Sequence, residues 1–213
     1  MLNSFNFAPN IPYMKFSKST WVAFILLIVV AALSRLMTYS IAGFAPQMAM
    51  AIFGGAVIKD KKWAFALPLL SLLISDCIME ILFQTGVKER QGFYDGQWAT
   101  YLCFAVLTVY GFLMQKVNLK NIFLFSVSGS LVFFILSNFF VWIGAGGLGR
   151  PLTFNGMLLC YGDAIAYYRD NGLIKGFVAN SVLGDLIWSF AIFGGYYLIN
   201  KFTVAPKHEA ATA

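Results

Sequence analysis

Two carboxylates four residues apart, Asp76 and Glu80 in SDCIME, close one of the most apolar runs of the chain. On a helix that spacing puts both on one face. Acids inside an apolar run are kept from lipid by facing a cavity or a partner, or by lining a path for protons or ions. Arg35, Asn138 and Asp185 stand in similar surroundings, in LSRLM, LSNFFVW and VLGDLIW. An arginine among acids neutralises one of them or holds a carboxylate or phosphate in two-pronged fashion. Tyr94, Trp98 and Trp142 lie near the same ends of their segments, where aromatic rings form interfacial belts or stack on a planar ligand.

Several chemistries are excluded. The one histidine, His208, lies in the polar tail, so histidine triads, HExxH zinc sites and histidine-ligated haem have no basis. Cys77, Cys103 and Cys160 form no CxxC pair and no disulfide framework. Cys77 beside Asp76 could ligate a soft metal, though an inert buried thiol is the plainer reading. GAGGLG, residues 144–149, satisfies G-x-G-x-x-G but follows an apolar run and precedes Arg150-Pro151, which is no βαβ context. No phosphate loop of the G-x-x-x-x-G-K-[ST] kind occurs. No cofactor, metal or catalytic set is expected.

The elements that hold these residues follow from composition. The chain has 213 residues, 60% of them hydrophobic and 11% charged, with a mean hydropathy of +0.75. Polar residues this scarce cannot cover a soluble domain, so the expected class is an all-α integral membrane protein in a lipid bilayer. Six apolar runs read as helices: Trp21–Tyr39, Pro46–Ile58, Trp63–Leu82, Gln97–Gln115, Ile122–Ile143 and Gly176–Ile199. The second is short and interrupted by Gly and Pro, a pattern that suits backbone lining a cavity. The polar stretch between runs five and six reads as a loop with an amphipathic surface helix. Residues 1–20 form a polar leader, 21–202 the helical domain and 203–213 a polar tail.

With both termini cytoplasmic, all four arginines fall outside and every inner base is a lysine. The orientation agrees with the positive-inside rule, and the net charge of +6 needs no nucleic acid to explain it. The polar residues Arg35, Asp76, Glu80, Asn138, Asn180 and Asp185 then gather in the outer half. The inner half is apolar apart from small residues such as Ser126 and Ser130, whose spacing lets helices approach closely. At roughly 3 kcal/mol each, these charges cannot face lipid. A buried brace and an outward-opening ligand pocket both answer that demand. An ion path should carry polar groups through both halves, and this chain has them in one.

FAPQMAMAIFGGAVIKDKKWAFALPLLSLLISD (residues 44–76), LSNFFVW (136–142) and LLCYGDAIAYYRDNGLIKGFVANSVLGDLIW (158–188) resemble a family of uncharacterised bacterial membrane proteins. That family looks related to the substrate-binding S components of energy-coupling-factor (ECF) vitamin transporters. The resemblance implies a six-helix bundle with a pocket near the outer surface. Its roof would be the loops Met37–Gln47, Thr85–Gln97 and Gly144–Gly172. It also implies a membrane T component and two ATPases as partners, and residence in the bacterial inner membrane. The Ala-x-x-x-Ala usual in the first span of S components is missing from WVAFILLIVVAALSRLM, and occurs instead at Ala45–Ala49.

The expectation is therefore a non-enzymatic protein that captures a small vitamin or cofactor precursor from outside. Asp76, Glu80, Asn138 and Asp185 would make polar contacts or brace the pocket, Arg35 would hold an acid or anion, and Tyr94, Trp98 and Trp142 would stack. The alternative is a structural or assembly subunit of a larger membrane complex. An intramembrane enzyme built on the paired carboxylates lacks a second nucleophile or a metal.

Overall fold

A computed structural model of the chain describes residues 18–37, 41–144 and 149–204. The leader through residue 17, the 145–148 part of GAGGLG, and the tail with His208 lie outside the described residues. Seven helices and no strand occur among them. They are α1 (Lys18–Met37), α2 (Gln47–Val57), α3 (Lys61–Gln84), α4 (Trp98–Gly111), α5 (Leu119–Gly144), α6 (Phe154–Asn171) and α7 (Asn180–Val204). Six match the apolar runs to within a few residues. The polar stretch supplies the seventh, α6.

Local chemistry sets the boundaries. The Asp60 carboxylate caps α3 by accepting from the Lys62 N–H at 2.9 Å. The Thr153 hydroxyl caps α6 by accepting from the Gly156 N–H at 3.1 Å. The buried Asn180 amide gathers the turn before α7: it accepts from Ile174 N–H and donates to the carbonyls of Tyr168, Ile174 and Phe177, at 2.6–3.0 Å. Asn180 thus fastens α6 to α7.

Three helices, α3, α5 and the Asn180–Asn200 part of α7, are long and apolar enough to cross a membrane. Their outer faces and that of α1 expose large apolar residues, among them Val22, Leu26, Val30, Leu73, Leu124, Leu131 and Ile187. These features fit a membrane protein. The 11-residue α2 is only about 17 Å long at 1.5 Å per residue, well short of a bilayer core of about 30 Å. All of its residues are buried, so it is the centre of the bundle and not a lipid-facing wall.

α2 packs against α3, α4, α5 and α7. Glycine makes this possible. A Cβ on Gly55 would lie 2.2 Å from the Thr108 carbonyl oxygen, and one on Gly111 would lie 2.6 Å from that of Ile52. The α5–α7 contact uses the small residues expected of it: the Ser189 hydroxyl donates to that of Ser126 at 3.1 Å.

Candidate functional site

Because the helices run alternately up and down, the last turns of α1, α3 and α5 share one end of the bundle with the first turns of α2, α4 and α7. Arg35 and Asp76 meet there. The guanidinium Nη1 donates to Asp76 Oδ1 and, at 2.5 Å, to the Ser75 hydroxyl. On Asp76 Oδ2, Gln97 Nε2 donates at 2.5 Å and the Tyr101 hydroxyl at 2.7 Å. Asp76 is 2% exposed and fully served by donors from α1, α4 and the residue before α4. It is the node of a brace.

Beside this node lies a cavity of about 290 Å³. Arg35 and Asp185 line it, with Gln47, Phe44, Phe104, Phe133, Arg90, Thr100, Tyr167, Tyr168 and Ser181. All three roofing loops contribute: Ile41 to Ala45 from the first, Arg90 from the second, and Tyr167 and Tyr168 from the third. At Gly43 the first loop takes φ +73°, and an added Cβ would lie 2.7 Å from Ser181 Cα. The neighbouring Ala42 N–H donates to the Asn171 carbonyl at 2.8 Å, which joins this loop to the end of α6.

The lining carries both signs of charge. Asp185 is 7% exposed. Among the described residues no basic group lies within 4.0 Å of it. Gln47, 1% exposed, donates through Nε2 to the Ser71 hydroxyl at 3.2 Å and to the Ala31 carbonyl at 3.5 Å. A carbonyl can only accept, which fixes the amide's orientation, and among the described residues Gln47 Oε1 then accepts from none. Burial, with the Asp185 charge nearby, pushes the Tyr168 phenol up to about 12, so it stays neutral and can donate.

The other expected site residues stand elsewhere. Glu80 does not line the cavity; it accepts from the Gly92 N–H at 3.0 Å, from Phe93 N–H at 3.3 Å and from Gln84 Nε2 at 2.9 Å. It folds the loop before α4 back onto α3. Asn138 is buried, and its amide donates to the Phe134 carbonyl at 2.8 Å. Trp142 donates from its indole to the Pro151 carbonyl at 3.1 Å and steadies the entry to α6. Trp98 is 63% exposed against Phe140, and Tyr94 stacks under Arg90 at 5.6 Å. None of these four lines the cavity. Gln47, Phe44, Phe133 and Arg90, which do, carry a sequence signal only in Gln47, a polar residue opening a wholly apolar helix.

Arg150, just before α6, grips Asp163 on it through two bonds of 2.8 and 3.0 Å. The guanidinium holds the Asp163 carboxyl below the usual carboxylate range. Among the described residues no three His, Cys, Asp or Glu side chains gather as a metal site. A second hollow of about 420 Å³, between α1 and α7, has walls such as Phe24, Val30, Leu67 and Ile192 and offers a ligand no charge.

These features define a class: an all-helical protein, apolar outside, with a mixed-charge cavity at one end. The chain belongs to DUF6580, a family of unknown function whose model matches residues 15–208. No curated protein and no solved structure matches it.

Proposed function

We propose that this protein is a six-span membrane protein of the S-component kind, capturing a small vitamin or cofactor precursor in the cavity beside Arg35 for uptake. The observation that carries this reading is the cavity itself. Among the described residues, its wall holds a buried carboxylate without a cation and a buried amide oxygen without a donor, and its roof comes from three loops. Ligand pockets generally combine apolar and aromatic walls with a few convergent polar groups, in volumes of about 300–1,000 Å³. This cavity fits the lower end of that range.

The charge pattern supports an outward-facing mouth. Lys59, Lys61 and Lys62 sit around the start of α3, and Lys116 and Lys120 around the start of α5, at the end opposite the cavity. The two regions adjoin, with Lys61 over the Phe112 ring at 5.7 Å. By the positive-inside rule the lysine end is cytoplasmic. α1, α2 and α4 complete the six crossings in this reading, α2 sheltered from lipid by its neighbours. Coupling to a T component and ATPases is the accompanying proposal on partners.

Gentle purification followed by mass spectrometry of everything that co-elutes tests the reading. Capture predicts one small molecule in stoichiometric amount. A stoichiometric protein partner with no small molecule would instead favour an assembly subunit and overturn capture.

A further inference from the structure

Resting on the reading of the cavity as a ligand pocket, we infer that its occupant is a small zwitterion, with an ammonium group at Asp185 and a carboxylate at Arg35. The two residues line the cavity together with the first turn of α2. Arg35 belongs to the α1–α3 side, bonded to Ser75 and Asp76. Asp185 belongs to the α5–α7 side, on α7 where it packs against α5.

Each wall has room for a ligand charge in a different way. Asp185 is more than nine-tenths buried, and among the described residues no base approaches within 4.0 Å. An ammonium from the ligand supplies that partner, and Phe44, Phe133 and Tyr168 in the same lining suit it through their ring faces. A guanidinium has five N–H donors, and among the described residues Arg35 spends only those of Nη1. The rest suit a carboxylate. α2 adds to the same end, since its first turn opens on the cavity and has no side-chain cap. Gln47 Oε1, buried and without a donor among the described residues, takes a further N–H or O–H of the ligand.

Overall balance argues the same way. Arg35 and Arg90 stand against Asp76 and Asp185 in and behind the lining, so a ligand carrying both signs leaves the balance undisturbed. A single anion would leave Asp185 bare. A single cation would leave the Arg35 donors unfilled.

The test uses the full chain in detergent micelles and reads thermal unfolding with β-alanine, 4-aminobutyrate or 6-aminohexanoate, against butylamine and butyrate at equal concentration. At least one amino acid should raise the transition more than either singly charged control. Asp185→Asn should weaken that binding roughly ten- to hundredfold, the worth of a charge-assisted hydrogen bond. Equal stabilisation by butylamine or butyrate, unchanged affinity in Asp185→Asn, or no shift with any amino acid overturns the inference. The panel on the unaltered chain decides even where the variant fails to fold. A neutral or singly charged compound extracted from purified protein would sink the zwitterion and leave capture standing, whereas a chain that yields and binds no small molecule would remove both.

Discussion

Asp76 and Glu80 share a spacing but not a task. Asp76 faces into the bundle, where Arg35, Gln97 and Tyr101 surround it, while Glu80, one turn later, has reached the rim and meets loop backbone. Removing one partner of a buried pair leaves the other charge uncompensated, at about 3–5 kcal/mol. Asp76→Ala is therefore expected to cost about that much in denaturant unfolding in micelles, and Tyr101→Phe about 1 kcal/mol. A loss of a few tenths for Asp76→Ala would mean that the brace does not hold the bundle. Glu80→Gln should leave global unfolding unchanged while making the 85–97 loop easier to cleave with protease. The i, i+4 spacing gave the shared face, but a helix pattern does not say where the bundle ends along that face. For the same reason Trp98 and Trp142 read as stacking groups, although their rings serve the rim.

At the scale of elements, the α2–α4 crossing brings two backbones together through Gly55 and Gly111. Gly55→Ala should destabilise by about 1–3 kcal/mol, the usual effect of overpacking, because its new Cβ has backbone and not a movable side chain in its way. Gly144→Ala, with nothing within 4 Å, is the matched control and should be near neutral in the same unfolding assay. The α6 tether makes a separate prediction. Asp163, held low by Arg150, contributes stability that is present above the ordinary carboxylate pKa of about 3.9 and lost as pH falls through the lowered folded value. An NMR titration should find its carboxyl below the ordinary range and restored by Arg150→Gln. The helices themselves were readable, because apolar runs bounded by Gly, Pro and charge are strong signals. The burial of α2 on every side was not. Its pattern is apolar all round, which a lipid-facing and a central helix share, and only its length separates them.

Across the whole molecule, polar groups meet at one end, and Lys59, Lys61, Lys62, Lys116 and Lys120 cluster at the other. In a Cys77→Ser background, Gly86→Cys at the cavity end should react with an impermeant thiol reagent on intact cells, and Lys116→Cys only after permeabilisation. The reverse pattern would turn the molecule over and face the cavity inward. The gathering of Arg35 and Asp185 at one depth followed from their places along their runs. That the two share a cavity, with Asp76 set behind it, depends on how six helices rotate against one another, which no single run specifies. Native mass spectrometry of the intact chain reads occupancy of this cavity by a small molecule. The wild-type protein should carry one added small-molecule mass, and Ala45→Phe, which adds a ring's volume at the cavity wall, should lose it while unfolding at a similar temperature. A bare wild-type chain, or the same added mass retained by the filled variant, would contradict the account.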